Sequence, residues 1–217
     1  MLRTAFLSAL LAIAGYACAG WLTHDFQIWT AEGARRLEVA LEPVVTPAVR
    51  IDGPDIGLQP LSQWLGDGHS VTIVDFVYTR CQTVCLALGS VYQQMQATLQ
   101  STNKSHVLIE GAQGKVKLLS ISFDGAHDTP QALQDYALRL HADPALWRFV
   151  RVQDRQEMQR LLADFQVVVI PDGRGDFEHN AALLVVDQQG RLVRIFDYAE
   201  QQLALDYAQY LAGAAWP

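Results

Sequence analysis

Residues 74–96 have the sequence VDFVYTRCQTVCLALGSVYQQMQ, in which a strand-like apolar run gives way to a helix-like one. Apolar side chains dominate residues 71–78, as is typical of a strand that is buried on both faces of a sheet. Over residues 84–99 the apolar residues recur every third or fourth position, which favours an amphipathic helix. This stretch therefore predicts a buried strand that leads directly into a helix.

Two cysteines, Cys81 and Cys85, lie at this transition. Four residues apart on a regular helix, two side chains share a face and their Cα atoms are about 6 Å apart, within the reach of a disulfide. Backbone N–H groups at a helix start stabilise a thiolate, which is both the nucleophile and the ligand of soft metals. The pair is expected to bind a metal when reduced or to form a bridge when oxidised.

His179 is the candidate for a third ligand, because it directly precedes the strand-like residues 181–186, and loops at such positions often carry sites. Two thiolates and one imidazole suit Cu(I), whereas zinc would normally take a fourth ligand. The other histidines lack a comparable context and are interpreted as solvated side chains: His24, His69, His106, His127 and His141.

Strand-like and helix-like segments alternate along the rest of the chain, which predicts an α/β fold of the thioredoxin-like sandwich type. Asp128, Thr129 and Pro130 are expected to begin one of the helices, with a capping residue and an early proline. Polar residues 101–114 predict a surface loop, and residues 173–176 a flexible approach to His179. The predicted strands are 115–123, 147–152, 181–186 and 192–196, with a turn at 188–190, and the predicted helices are 130–140, 156–165 and 201–211.

Composition limits the classes of function. The chain has 217 residues, 50% of them hydrophobic, a formal net charge of −7 and a pI near 5.2. It contains no basic run that could neutralise several phosphates, which argues against nucleic-acid binding. Its length fits one globular domain, predicted at residues 44–217, with an N-terminal appendage.

The appendage consists of Arg3 followed by an apolar run over residues 4–22. This run is longer than the apolar part of a signal peptide, about 7–15 residues, and close to the roughly 20 residues of a spanning helix. Residues 17–19 resemble a cleavage site, but we expect residues 1–22 to stay as an uncleaved anchor. Arg3 predicts that the body lies outside the cytoplasm, in the periplasm or an equivalent space. Cys18 is interpreted as a small apolar residue of the membrane helix, and its lipidation is the weaker alternative.

Residues 23–43 are predicted to form a juxtamembrane linker, with an amphipathic piece at 29–39 that ends before Pro43. Outside the cytoplasm, paired cysteines usually oxidise unless a metal or a reductant intervenes. A bridge between Cys81 and Cys85 would close a very short loop and would therefore stabilise the fold little. A purely structural disulfide is thus less favoured than metal or redox chemistry.

Several short motifs, in this order and at similar spacing, resemble the Sco/SenC family. They are FVYTRC at residues 76–81 with Cys85, SISFD at 120–124, DTP at 128–130, FEHN at 177–180, and Asp187 followed by GRL at 190–192. The resemblance covers roughly residues 44–211. It implies a membrane-anchored, thioredoxin-like copper protein that helps to mature the binuclear copper centre of cytochrome c oxidase.

The resemblance also implies that Cys81, Cys85 and His179 are the copper ligands. The expected partner is the copper-bearing oxidase subunit or another copper chaperone. Asp124 and Asp128 fall in the family's acidic loop, where they either support the site or a partner surface, or act as a turn residue and a helix cap.

The chain departs from the family pattern at three positions. The family usually has proline after each cysteine, where this chain has Gln82 and Leu86, and serine after the histidine, where it has Asn180. Proline at the first position stiffens the loop, so Gln82 is expected to leave the site more mobile.

Two functions of different classes follow from these residues. A metallochaperone would use Cys81, Cys85 and His179 to carry copper, whereas a thiol–disulfide oxidoreductase would use the two cysteines as a redox-active pair and would not require His179. A thiol peroxidase would need a threonine three residues before the reactive cysteine, but Thr79 lies two residues before Cys81.

Overall fold

The computed structural model describes residues 2–26, 28–81, 84–105, 115–174 and 176–213, with the side chains of residues 2, 84–87 and 102–105 excepted. The helices are α1 (Leu2–Leu22), α2 (Ala31–Leu41), α3 (Leu61–Leu65), α4 (Val84–Ser105), α5 (Pro130–Arg139), α6 (Arg155–Asp164) and α7 (Gln201–Gly213), with a 3-10 turn at Tyr198–Glu200. The strands are β1 (Val44–Val45), β2 (Arg50–Gly53), β3 (Ile56–Pro60), β4 (Ser70–Val77), β5 (Lys115–Ser122), β6 (Trp147–Val152), β7 (Val169–Pro171), β8 (Phe177–His179), β9 (Ala182–Val186) and β10 (Arg191–Asp197).

Eight strands form one mixed sheet in the order β1-β10-β9-β4-β5-β6-β2-β3, and β7 and β8 form a separate hairpin. β4, β5 and β6 are parallel, and the other neighbouring pairs are antiparallel. β4 lies in the middle and all eight of its residues are buried, because helices cover both faces of the sheet. The apolar run predicted at residues 71–78 therefore corresponds to the central strand of the fold, β4.

One hydrophobic core lies on each face of the sheet. The first core is formed with α2, α3 and α6, through residues such as Val39, Leu61 and Leu161. The second is formed with α4, α5 and α7, and Tyr92 and Trp147 are among its largest side chains.

One end of the sheet, which we call the site edge, gathers the candidate residues. It is made of the carboxyl ends of β4 and β5, at Val77 and Ser122, which pair with each other. β9 is antiparallel to β4, so its first residue, Ala182, lies at the same edge. The carboxyl end of β10, Asp197, pairs with Ala182. Ligand sites commonly form at such an edge, where the parallel strands end.

The secondary structure confirms the predicted central strand, the strands at 115–123 and 147–152, the final hairpin and the helices that follow each strand. Three expectations differ from the structure. Helix α4 begins at Val84, so Cys81 lies in the loop before it and the two cysteines do not share a helical face. The same helix continues to Ser105, into the segment predicted as a loop, and residues 106–114 lie outside the described residues. Thr129, and not Asp128, caps α5, accepting a hydrogen bond from the Ala132 N–H.

Candidate metal centre

Cys81 lies at the end of a short turn that follows β4. Its backbone N–H donates to the Tyr78 carbonyl over 3.3 Å, and its side chain is buried. Tyr78, Phe123 and Phe177 surround it and form one apolar cluster. The thiol is therefore held in a low-dielectric wall and not on a solvated loop.

Asp128 fastens this turn to the neighbouring strand. Its carboxylate accepts hydrogen bonds from the Thr79 backbone N–H at 2.9 Å, the Thr79 hydroxyl at 2.6 Å and the Ser122 hydroxyl at 2.6 Å. The carboxylate is completely buried, and bonds of this charge-assisted kind are stronger than those between neutral groups. Asp128 thus holds the turn that leads to Cys81, and this role, not the expected helix cap, accounts for its burial.

Asp124 makes a second, more exposed cluster beside the same turn. Its two carboxylate oxygens accept from Arg80 Nη2 and from His127 Nδ1, each at 2.8 Å. Arg80 directly precedes Cys81, so this ion pair ties the loop after β5 to the loop after β4. His127 was predicted to be a solvated side chain and is largely exposed, but it also contacts Asp124.

Gly125 lets this second loop lie against β6. A Cβ at this position would collide with the Val152 carbonyl, and the Gly125 carbonyl accepts from Arg151 Nη1 at 3.1 Å. The loop that carries Asp124 and Asp128 is therefore packed directly on backbone.

His179 arrives at the site from the other side, as the last residue of β8. It pairs with Val169 of β7, and the hairpin is held at its base by Asn180. The Asn180 side chain accepts from the Val168 N–H at 2.7 Å and donates to the Gln166 carbonyl at 3.2 Å. Asparagine therefore fastens the hairpin through both ends of its amide.

A cluster of aromatic rings joins the two sides of the site. The rings of Tyr78, Phe123 and Phe177 lie 5.2–5.3 Å from one another, and the His179 ring meets Phe123 edge to face at 5.5 Å. Phe123 thus contacts both the Cys81 cluster and the imidazole. The Tyr78 hydroxyl accepts from the Phe177 N–H at 3.3 Å, which connects the turn before Cys81 to the strand that carries His179.

The electrostatics of the imidazole follow from this position. Burial lowers the pKa of His179, and the nearby Cys81 opposes the shift when it is ionised. Neutral imidazole is the form that binds a metal. The burial of the ring therefore favours the form of His179 that can act as a metal ligand.

The structure brings two of the three predicted ligands, Cys81 and His179, onto one aromatic cluster. The backbone of Cys85 is the second residue of α4, next to this cluster in sequence, but its side chain lies outside the described part of the chain, as does Gln82. Among the described residues no group of three histidine, cysteine, aspartate or glutamate side chains forms a cation site. Asp124 and Asp128 are engaged by the hydrogen bonds given above.

Sequence reasoning missed the aromatic cluster and the small hairpin that presents His179. Tyr78, Phe123 and Phe177 lie within the motifs FVYTRC, SISFD and FEHN, and this common placement is the signal that could have revealed them. The hairpin was signalled by the β-branched run Val167–Ile170, which precedes Pro171.

Fold and site together define a thioredoxin-like α/β protein that places cysteine and histidine side chains at the carboxyl edge of its central strands. The family model described as SCO1/SenC matches residues 67–211. The chain belongs to the SCO1/SenC family.

Solved structures of this family share the fold. A SCO1/SenC family lipoprotein from Bacillus anthracis str. Ames is 20% identical, with a TM-score of 0.65 over 79% of this chain and 98% of that one. BsSco, described as a member of the Sco family of cytochrome c oxidase assembly proteins with a disulfide switch, is 19% identical, with a TM-score of 0.62 over 78% and 96%. ScoI from Bradyrhizobium japonicum, solved with copper bound, is 19% identical, with a TM-score of 0.60 over 77% and 99%. At these identities the likeness establishes the fold, which confirms the predicted thioredoxin-like class.

Proposed function

We propose that this protein is a copper chaperone, which binds a copper ion through Cys81, Cys85 and His179 and assists the assembly of the binuclear copper centre of cytochrome c oxidase. Its family membership supports this proposal, as do the copper bound to ScoI and the oxidase-assembly role named for the family of BsSco. The recipient would be the copper-bearing oxidase subunit or another copper chaperone.

The observation that carries the proposal is the convergence of Cys81 and His179 on Phe123 from two distant parts of the chain. A soft thiolate and an imidazole in an apolar setting suit copper in either oxidation state. Cys85, the second residue of α4, is placed in sequence to supply the second thiolate, since unpaired backbone N–H groups at a helix start favour the ionised form.

The copper ion is cargo in this proposal, so the site must hold it and also release it. The Cys81 turn is fixed by Asp128 and gives the ion a constant position. The aromatic wall of Tyr78, Phe123 and Phe177 excludes water from one side of Cys81. Release would then be governed by the recipient's own ligands, which compete with the imidazole and the thiolates.

An anaerobic Cu(I) titration of the full chain in detergent tests the proposal. We expect one ion per protein, loss of tight binding in Cys81→Ser, and retention at least tenfold weaker in His179→Ala. His69→Ala is the matched control, since His69 is exposed at the opposite end of β4 and should leave binding unchanged. Equal affinity and stoichiometry in wild type and His179→Ala would contradict the three-ligand model.

A membrane anchor is favoured by α1, which is long and apolar enough at Arg3–Leu22 to cross a membrane, with a mean hydropathy of 1.8. We propose that it stays attached and that Arg3 keeps the body on the outer, periplasmic side. Fractionation of tagged protein should recover it with membranes. A soluble mature form that begins near Ala19 would show that the segment is a cleaved signal.

The alternative function is a thiol–disulfide oxidoreductase that reduces cysteines of a target protein. The position of Cys85 at the start of α4 favours it, and so does the disulfide switch named for BsSco. Reduction of a target disulfide by Cys81→Ser protein should fail, whereas His179→Ala should retain full activity if this alternative is correct.

Copper and a disulfide compete for the same two sulfurs, so each state should suppress the other. We expect the copper-free protein to form a reversible bridge between Cys81 and Cys85 under mild oxidant, and copper to protect both thiols. Differential alkylation with mass spectrometry counts the thiols in each sample. Free thiols in the oxidised apo protein, or a bridge that survives copper loading, would refute this coupling.

A further inference from the structure

The connection between the apolar helix α1 and the domain is a folded turn. Backbone hydrogen bonds link Thr23 to Ala19, Asp25 to Gly20 and Ile28 to Thr23, at 2.8–3.0 Å. Residues 24–26 have positive φ angles, and the Phe26 N–H donates to the Thr23 hydroxyl. Fully extended, residues 23–30 would reach about 25–30 Å. Because Thr23 and Asp25 bond back to α1 and Ile28 bonds back to Thr23, the start of α2 is held close to the end of α1.

Aromatic side chains mark the same level of the chain. Trp21 and Trp29 are 79% and 71% exposed. The Phe26 ring lies between them in sequence and contacts Tyr16 at 4.9 Å and Trp29 at 6.0 Å. Exposed tryptophan and tyrosine at the end of an apolar helix are typical of the boundary between lipid and water. This turn is therefore placed at the headgroup level of the bilayer.

Helix α2, which follows the turn, is docked on the body of the domain. Val39 is fully buried in the core. Arg35 Nη2 donates to the Phe165 carbonyl at 3.3 Å, and Arg36 forms ion pairs with Asp197 at 3.4 Å and Glu200 at 3.2 Å. The position of the turn relative to the domain is thus set by packing.

The contacts of α2 show which end of the sheet lies next to the turn between α1 and α2. Asp197 pairs with Ala182, three residues after His179, and both belong to the site edge. After α2, the chain crosses to the far end of the sheet, where Val44 pairs with Leu192. The first turns of α2 therefore lie at the same end of the sheet as Cys81 and His179.

We propose that the partner of the site edge is the bilayer surface itself, so that the domain holds Cys81 and His179 toward the membrane that α1 crosses. This inference rests on the proposed anchor. Combined with the proposed function, it narrows the recipient to a protein whose copper-accepting groups lie near the membrane surface.

The charges at the site edge indicate what sets the orientation of the domain on the membrane. It is the folded turn between α1 and α2, which we call the tether, and not attraction to lipid charge. Arg80 and His127 are exposed there, but so are Asp172 and Glu178. Such a mixed surface gives no net attraction to anionic headgroups. The orientation should therefore be the same in zwitterionic and anionic vesicles, and at high salt.

A depth measurement on the full chain in phosphatidylcholine vesicles tests the inference. A ketone-bearing amino acid at position 127 or 189, labelled with a dye, keeps all native cysteines. His127 is at the site edge, and Gln189 is exposed in the turn at the opposite end of the sheet, about 25 Å away along the eight residues of β4. Lipids with a nitroxide on the headgroup should quench the dye at 127 at least twofold more than the dye at 189. Equal or reversed quenching overturns the inference.

A lengthened tether is the matched control. Twenty Gly/Ser residues inserted between Leu22 and Thr23 span about 25 Å on average, enough to free the domain, and should abolish the difference between the two positions. A difference that persists would overturn the role of the tether. A chain cleaved near Ala19 would overturn the inference and leave the copper titration in detergent unaffected.

Discussion

Two buried aspartates, Asp75 in strand β4 and Asp128 in the loop that follows β5, have opposite effects on the stability of the fold. At the site edge, Asp128 is 0% exposed and its carboxylate accepts three hydrogen bonds. In the middle of β4, Asp75 is 1% exposed, its Oδ1 has no well-formed hydrogen bond among the described residues, and the nearby Ser120 and Tyr92 hydroxyls only partly offset its burial. Burial alone therefore does not decide whether a carboxylate stabilises or destabilises the fold, because that depends on the hydrogen-bond donors around it.

The surroundings of Asp75 explain the difference. It pairs in register with Ser120 of β5, whose hydroxyl accepts from the Trp147 indole at 2.9 Å and keeps its own proton for the Asp75 carboxylate. The buried hydroxyl of Tyr92 lies beside the Asp75 carboxylate, but among the described residues it does not reach the geometry of a well-formed hydrogen bond. Burial raises the pKa of Asp75 to about 7. Burial, and then the charge of Asp75, raises the pKa of Tyr92.

The largest effect is expected at Asp75. Its pKa is raised on folding from 3.8, so the folded state keeps a proton that the unfolded chain loses, and stability falls as pH rises from about 4 to 7. Asp75→Asn should remove this penalty and raise the free energy of unfolding at pH 8 by up to about 4 kcal/mol. Urea unfolding at pH 5 and pH 8 measures it, with the exposed Asp206→Asn as control. A variant no more stable than wild type at pH 8 would show that Asp75 is better solvated than its burial indicates.

The opposite sign is expected for Asp128→Asn. Loss of the charged acceptor should destabilise the fold by about 3 kcal/mol, since hydrogen bonds to a buried charge are worth about 1.5–3 kcal/mol each and do not add fully. Copper retention should weaken as well, because the turn before Cys81 loses its support, whereas Asp75→Asn should leave copper retention unchanged.

Denaturant unfolding and Cu(I) competition check this second variant against Asp135→Asn, whose side chain is exposed and contacts only Gln131 among the described residues. The contrast between the two aspartates would be wrong if Asp75→Asn weakened copper binding. It would also be wrong if Asp128→Asn bound copper as tightly as wild type.

The smallest effect is expected at Tyr92→Phe. Removing a buried hydroxyl that makes no well-formed hydrogen bond should stabilise the protein by about 1 kcal/mol. Tyr210→Phe, on the exposed side of α7, should change nothing. A clear loss of stability in Tyr92→Phe would reveal a hydrogen bond to Asp75 and would reduce the contrast with Asp128.

The sequence predicted the elements whose patterns are local. The run at 71–78 identified β4 because a strand covered on both faces needs no polar alternation, and the spacing over 84–99 identified α4. It did not predict β1, β2 and β3, which are short and depend on partners distant in the chain. Long-range pairing is invisible to a pattern read over a few residues.

The site shows the same limit. Cys81 and His179 were found by residue type and context, and the start of α4 at residue 84 was predicted correctly. The shared helical face of the two cysteines was wrong, because Cys81 precedes the helix in a turn that Asp128, far along the chain, stabilises through Thr79. Asp128 was interpreted as a cap because it stands beside Thr129, which takes that role. A carboxylate that bonds locally and one that bonds across a sheet edge look alike in sequence.

The edges of the sheet bear on how copies of the protein would behave if the proposed anchor concentrates them on a membrane. One edge strand, β1, has only two residues, and the other, β3, ends in Pro60, which has no N–H to donate. Exposed edges of long strands recruit further strands and lead to aggregation, and short or proline-bearing edges resist it. Copies held side by side by the proposed anchor would thus collide repeatedly without adding to one another's sheets.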